Sequence, residues 1–186
     1  MPTTKIMVIR HAEKPNGEPG AMPDGSSNPE ALTATGWRRA EALVGLFDPI
    51  DGRFKNRALA KPRRLFASDP SDADKSLRPL QTITPLARAL GEDIDKTFAK
   101  GQEEALVAKA KAIGDVVLVG WQHEKIPEIA GHILGVDASF LAHWPGHRFD
   151  LVWVFDRQPG ADAWSMTQVP QMLLPGDRPD PIPSDE

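Results

Sequence analysis

A short apolar run that ends abruptly in two polar side chains is the feature that most constrains this chain. Residues Ile6 to Ile9 are apolar, and Arg10 and His11 follow immediately. Such a run is typical of a buried strand, and ligands of open α/β sheets bind beyond the carboxyl ends of the strands. Arginine offers a planar pair of donors to phosphate oxygens, and neutral imidazole is a nucleophile. The run therefore predicts an enzyme that takes a phosphoryl group onto histidine.

Strand and helix patterns alternate along the rest of the chain. Pro79 suits the first turn of a helix and Gly91 suits its end, while Thr33 and Thr35 are the candidate N-caps of an earlier helix. The order β-α-β-α-α-β-α-β-β predicts an α/β fold, a three-layer sandwich with a mostly parallel central sheet flanked by helices. The predicted elements are strand 5–9, a helix with an apolar stripe from 37 to 47, strand 65–68, helices 79–90 and 102–113, strand 116–120, helix 127–134, and strands 151–155 and 164–169.

Length and composition narrow the class of protein. The 186 residues fit one domain, which we predict to be a single catalytic domain over 1–174, followed by a tail over 175–186. The tail is rich in Pro and Asp and is expected to be extended or disordered. A net charge of −4 argues against nucleic-acid and membrane-surface partners, and the absence of cysteine excludes disulfides and thiolate zinc sites. With no signal-like apolar segment, the expected location is the cytoplasm.

Three of the predicted strands end in residues that suit one anion site. The first strand delivers Arg10 and His11, and the third delivers His123. The second ends at Ser68, before a polar loop that reaches Arg78 at the start of a helix. The free N–H groups and partial positive charge of a helix N-terminus attract anions. The sequence therefore predicts a phosphate site at the carboxyl edge of the sheet.

The spacing of these residues resembles that of the histidine phosphatase superfamily, also called the phosphoglycerate mutase-like superfamily. Arg10-His11-Ala12-Glu13 is similar to its Arg-His-Gly-Glu signature. The later matches, in the right order, are Leu32-Thr33 to Gly36 with Arg39-Ala40, then Arg78-x-x-Gln81-Thr82, then the run 116–120 leading to His123. The resemblance covers residues 5 to about 135 and is much more specific than the Arg-His pair alone.

The resemblance implies a phosphatase that hydrolyses a phosphomonoester in two steps. His11 would attack phosphorus and become phosphohistidine, which water would then hydrolyse, while Arg10, Arg78 and His123 would surround the phosphoryl oxygens. Lys14 would also bind the substrate, although the simpler interpretation is that its side chain is only solvated. No metal and no cofactor are expected, because the arginines supply the positive charge. The expected partner is a small phosphorylated substrate or a phosphoprotein, and the protein is expected to be a monomer or a homodimer.

The two histidines are expected to differ in protonation. His11 must be neutral to attack, and the nearby arginines should lower its pKa. His123 would be more useful as a protonated donor. Glu124 falls on the position of an aspartate that acts as the acid in one branch of the superfamily, so we expect Glu124 to protonate the leaving group. The weaker candidates for that acid are Glu13, Asp24, Glu103 and Glu104.

Three other functions remain open from the sequence. One is a phosphoglycerate mutase-type phosphotransferase, one is a protein phosphohistidine phosphatase, and one is a catalytically idle module that binds phosphate. A shallow, open site would favour a protein substrate, whereas a roofed pocket would favour small molecules. We expect the loops 15–30 and 69–75 to form that roof. Ser68 is expected to be a hydrogen-bonding residue at a strand end, and His143 and His147 to lie in a loop or on the surface.

Overall fold

The computed structural model describes residues 4–183. Its centre is one six-stranded sheet with the strand order β3-β2-β4-β1-β5-β6. The first four strands in that order run parallel, whereas β5 and β6 pair antiparallel at one edge. The strands are β1 (Thr4–Arg10), β2 (Arg64–Ala67), β3 (Ile94–Asp95), β4 (Val116–Trp121), β5 (Leu151–Arg157) and β6 (Ser165–Pro170).

Helices cover both faces of the sheet because the buried strands are apolar on both sides. Along β1, Ile6 and Val8 join the core on one face, while Met7 and Ile9 join the core on the other. Helices α1 and α2 pack on the second face, and α3 and α4 pack on the first. This arrangement confirms the predicted α/β sandwich. The helices are α1 (Ala34–Phe47), α2 (Arg78–Leu90), α3 (Glu103–Ile113) and α4 (Ile126–Leu134).

Local chemistry sets the ends of these helices. The side chain of Thr33 accepts a hydrogen bond from the backbone N–H of Gly36 at 3.1 Å, so Thr33 is the N-cap of α1, one of the two candidates. Gly91 ends α2 with a φ of 67°, a left-handed conformation that favours glycine. Helix α2 begins at Arg78, one residue earlier than predicted, so Arg78 lies inside the first turn.

The structure contains two short elements that the order predicted from the sequence lacks. The strand β3 has only two residues, which is too short to produce a periodic signal. His123 begins a short 3-10 turn, His123–Lys125, which lies between β4 and α4. No helix in the described part of the chain is both long enough and apolar enough to cross a membrane.

The C-terminal segment is extended but packed. Residues 175–183 contain no helix or strand, as expected of an extended tail. Ile182 is nonetheless only 2% exposed and belongs to one of the two cores. Its backbone N–H donates to Gln168, and its carbonyl oxygen accepts from the same side chain. The disordered alternative therefore does not apply to 175–183, and the division of the chain at residue 174 remains a prediction.

Candidate active site

The register of the central strands brings the predicted site residues to one edge of the sheet. Arg10 at the end of β1 lies opposite Trp121 at the end of β4. The backbone N–H of His11 donates to the carbonyl oxygen of Trp121 at 3.0 Å, so the parallel pairing continues one residue past the strand. Because the turn that holds His123 starts two residues after Trp121, the two histidines leave neighbouring strands at the same end.

Arg10 is buried and is held by the loop that precedes β5. Its Nη1 donates to the carbonyl oxygens of Gly146 at 2.7 Å and Arg148 at 3.1 Å, with Pro145 at 3.4 Å. The ring of Phe149 lies 3.8 Å from the guanidinium carbon. The Nε and Nη2 atoms are buried and have no partner among the described residues. They form one edge of the guanidinium, which suits two oxygens of a bound anion.

His11 has the tautomer that a nucleophile needs. It is 4% exposed, and its Nδ1 lies 2.7 Å from the carbonyl oxygen of Ala12, which can only accept. Nδ1 therefore carries the proton, and the lone pair is left on Nε2. Burial, and then the positive charge of Arg10, lowers the pKa of His11 to about 3. The ring is neutral at physiological pH, as the sequence predicts.

Arg78 occupies the first turn of α2 and has a free donor of its own. Its Nη1 donates to the carbonyl oxygen of Pro29 at 2.9 Å, and its Nη2 lies 3.5 Å from a carboxylate oxygen of Glu30. Its Nε is buried and has no partner among the described residues. Burial lowers the pKa of Arg78, but a guanidinium remains charged at neutral pH. Arg78 therefore retains charge and one donor for an anion.

His123 and Glu124 belong to a cluster of polar and charged side chains. The sequence predicts these two as site residues but not their other partners. Nδ1 of His123 lies 3.0 Å from Oε2 of Glu124. This distance allows an ion pair, but the geometry does not fit a hydrogen bond. Nζ of Lys100 lies 2.5 Å from the other oxygen of Glu124 and 3.3 Å from Asp74. His123 and then Lys100 hold the pKa of Glu124 well below its usual range. Before Glu124 could donate a proton, the carboxylate would have to take one up.

Charge connects the predicted residues into one site. The backbone N–H of Ala12 donates to the hydroxyl of Thr82, which donates to the carbonyl oxygen of Arg78, so the first turn of α2 adjoins His11. Arg10, Arg78 and His123 each lower the pKa of His11. The negative charge of Glu124 acts to raise the pKa of both arginines and so favours their charged forms. The structure thus brings together five of the predicted site residues. Unpartnered hydroxyls of Ser68 and Ser76 are buried as well, so the expected hydrogen bond of Ser68 is absent among the described residues.

The other acid candidates are engaged elsewhere. Glu13 is paired with Arg39 at 2.8 Å, and Glu103 accepts from the indole of Trp121 at 2.9 Å. Asp24 accepts from Ser26 in an exposed turn, and Glu104 is exposed on α3. None of these contacts is with the histidines or with Arg10. In the part of the chain that the structure describes, no three His, Asp or Glu side chains form a group that could hold a metal ion.

The predicted loops 15–30 and 69–75 both contact the site, and a third segment that the sequence does not predict covers Arg10. The loop 15–30 contributes a wall, because Pro29 and Glu30 contact Arg78, and Asp74 of the loop 69–75 contacts Lys100. The segment that covers Arg10 is Pro145–Phe149, in which His147 lies as expected in a loop. Its contacts with Arg10 come mostly from backbone carbonyl groups, which leave no signal in a sequence.

A cavity of about 350 Å³ adjoins this cover. Gly146 and Phe149, which hold Arg10, also line the cavity, and the ring of Phe149 lies 6.2 Å from that of His11. Lys14, which the sequence predicts to bind substrate, lies in its wall and makes no ion pair among the described residues. The remaining lining residues are Glu13, Asn16, Glu18, Thr33, Thr35 and His147.

Comparisons with known proteins show the fold. The sequence matches no family model and none of the curated proteins. A solved structure assigned as the phosphohistidine phosphatase SixA of Agrobacterium tumefaciens is 18% identical, with a TM-score of 0.52 over 88% of this chain and 94% of that one. The alpha-ribazole phosphatase of Shigella flexneri is 11% identical, with a TM-score of 0.57 over 88% and 94%. A mycobacterial glucosyl-3-phosphoglycerate phosphatase is 14% identical, with a TM-score of 0.54 over 89% and 97%. These neighbours carry the names of phosphatases, and the likeness shows that this chain shares their α/β fold.

Proposed function

We propose that the protein is a metal-independent phosphatase that hydrolyses a phosphomonoester through a phosphohistidine on His11. The observation that carries the proposal is the free edge of Arg10 beside the neutral ring of His11. Buried guanidinium donors without partners are costly, and a bound anion would satisfy them. The solved phosphatases with this fold support the same reaction class.

In the first step, Nε2 of His11 forms a bond to phosphorus, and the bond from phosphorus to the alcohol oxygen breaks. The negative charge of the transferring group spreads over three oxygens. Arg10 and Arg78 supply positive charge and free donors to these oxygens, and we expect His123 to add a third donor in its protonated form. In the second step, water attacks phosphorus, the P–N bond breaks, and inorganic phosphate leaves.

The leaving alcohol needs a proton, and we propose that Glu124 supplies it. The carboxylate lies beside His123, at the turn that follows β4. Its pairing with Lys100 favours the ionised form in the free protein. A phosphoryl dianion bound nearby would raise the pKa of Glu124 by like-charge repulsion, so substrate binding would load the acid with its proton.

The shape of the site favours a small substrate over a phosphoprotein. His11 is 4% exposed, and the ring of Phe149 lies 6.2 Å from its ring, so the geometry suits a narrow substrate better than a folded protein surface. We propose that the alcohol part of the substrate occupies the 350 Å³ cavity and contacts Lys14. Replacing Lys14 with Met should then raise KM to different extents for different phosphomonoesters and leave kcat for p-nitrophenyl phosphate unchanged.

The test of the proposed function is hydrolysis of p-nitrophenyl phosphate in the presence of EDTA. The unmodified protein should turn over, and the His11→Ala variant should lose turnover while remaining folded by circular dichroism. Turnover that EDTA abolishes, or that the His11→Ala variant retains, would overturn the proposal.

A further inference from the structure

The segment that holds Arg10 is itself fixed by a buried ion pair. Nε of Arg148 lies 2.7 Å from Oδ1 of Asp150, and the two side chains are only 4% and 6% exposed. The carbonyl oxygen of Arg148 accepts from Arg10 at 3.1 Å and from the indole of Trp144 at 2.8 Å. The position of this ion pair therefore sets the position of a carbonyl group that orients Arg10.

The C-terminal segment supplies the remaining partners of that ion pair. The backbone N–H of Arg178 donates to Oδ2 of Asp150 at 2.6 Å. Nη2 of Arg148 donates to the carbonyl oxygen of Asp180 at 2.8 Å. Ile182, which is 2% exposed, anchors this part of the segment in the core. Buried charges are stable only when their hydrogen bonds are satisfied, so the pair depends on these two backbone groups.

We infer that residues 178–182 are a positioning element for the proposed phosphate-binding residue Arg10. They complete the Arg148–Asp150 pair, the pair fixes the carbonyl groups of 146–148, and those groups leave the Nε and Nη2 edge of Arg10 free for the phosphoryl group. The inference rests on the proposed function. It assigns a role to a segment whose composition alone indicates only an extended or disordered tail.

Residue 178 offers a matched pair of variants in the full-length chain. The side chain of Arg178 is exposed, and only its backbone N–H contacts Asp150. Arg178→Pro removes that N–H, whereas Arg178→Ala keeps it. The Arg178→Pro variant should bind inorganic phosphate and vanadate about tenfold more weakly, the loss expected for one misplaced charge-assisted hydrogen bond. The Arg178→Ala variant should bind both as the unmodified protein does.

A remote variant separates positioning from a general loss of stability. Asp156→Asn breaks the pair with Lys5, which lies at the opposite end of the sheet from His11. It should lower the thermal midpoint without changing phosphate affinity. If Arg178→Pro and Asp156→Asn weaken phosphate binding equally at matched losses of stability, residues 178–182 do not position Arg10.

Hydrogen exchange on the unmodified protein keeps the inference testable if the proline variant does not fold. Saturating phosphate should slow exchange at the amide of Arg178 as well as in 146–150, because coupling between two sites is reciprocal. Slower exchange confined to 10–12, with Arg178 unchanged, would overturn the inference alone. A protein that binds neither phosphate nor vanadate would overturn the proposed function and this inference with it.

Discussion

Nδ1 of His11 lies 2.7 Å from the carbonyl oxygen of Ala12, and this contact decides which nitrogen of the ring can react. Burial and Arg10 lower the pKa of His11 to about 3, whereas an unfolded histidine titrates near 6.5. We predict that His11 stays neutral down to about pH 4 in the folded protein. Side-chain NMR of the imidazole nitrogens should show a proton on Nδ1 throughout, and a titration near pH 6.5 in the folded protein would contradict this.

The same pKa shift predicts how stability depends on pH. Because the folded pKa of His11 lies below the unfolded value, the unfolded chain binds more protons between these two values. The contribution of His11 to stability is therefore complete above about pH 6.5 and decreases as the pH falls toward 3. Urea unfolding of the unmodified protein and the His11→Ala variant should differ in pH slope in this window, and equal slopes would contradict the prediction.

Glu124→Gln should affect substrates according to their leaving groups. A good leaving group such as p-nitrophenolate needs little protonation, whereas an alkoxide needs a proton in the transition state. We predict a loss of about 10²-fold or more in kcat/KM for an alkyl phosphate, within the usual range for a general acid, and only a small loss for p-nitrophenyl phosphate.

Steady-state rates on the two substrates distinguish the roles that Glu124 could have. Equal losses would mean that Glu124 acts by holding His123, 3.0 Å away, and not as the acid. Full activity on the alkyl phosphate would remove Glu124 from the mechanism.

Arg10→Lys should abolish most of the activity although it preserves charge. An ammonium cannot present the two parallel donors of the Nε and Nη2 edge, and it cannot reproduce the contacts of Nη1 with 145–148. We predict a fall of about 10²-fold or more in kcat/KM, similar to the loss of an oxyanion donor. Arg88→Lys, on the exposed face of α2, is the matched control and should retain full activity. Comparable kcat/KM values for the two variants would contradict the role of Arg10.

Two glycines in α1 should respond in opposite ways to alanine. A Cβ at Gly36 would lie 2.6 Å from the carbonyl oxygen of Glu13, which is backbone and cannot move freely. Gly36→Ala should therefore destabilise the protein by about 1–3 kcal/mol. A Cβ at the exposed Gly45 would meet nothing within 4 Å, so Gly45→Ala should stabilise it by about 0.5–1 kcal/mol. Chemical unfolding measures both, and a neutral Gly36→Ala would contradict the close packing of α1 on the loop after His11.

The parts of the fold that the sequence predicts correctly are those that a pattern of side chains reveals. The apolar run before Arg10 predicts β1, and the parallel pairing of β1 with β4 brings His11 and the turn at His123 to one edge. Gly36 of the second motif packs against Glu13 of the first, which gives the spacing between the motifs a steric reason.

The parts that the sequence does not predict depend on backbone groups or on distant partners. Arg10 is held by carbonyl groups 135 or more positions away, and any residue type can supply a carbonyl. The pairing of Lys100 with Glu124 joins the turn before α3 to the 3-10 turn after β4, and no local sequence pattern connects these two segments. The composition around Ile182 indicates an extended or disordered segment, and the structure packs this extended segment through one buried side chain and two hydrogen bonds to Gln168.

The most direct test of phosphoryl transfer to His11 is to trap the covalent intermediate. The protein should be mixed with a phosphomonoester, quenched in alkali, in which phosphohistidine survives, and digested for mass spectrometry. We predict one added phosphoryl group on the peptide that contains His11, and none in the His11→Ala variant. A phosphoryl group on any other residue, or turnover without any phosphorylated peptide, would contradict a phosphohistidine intermediate on His11.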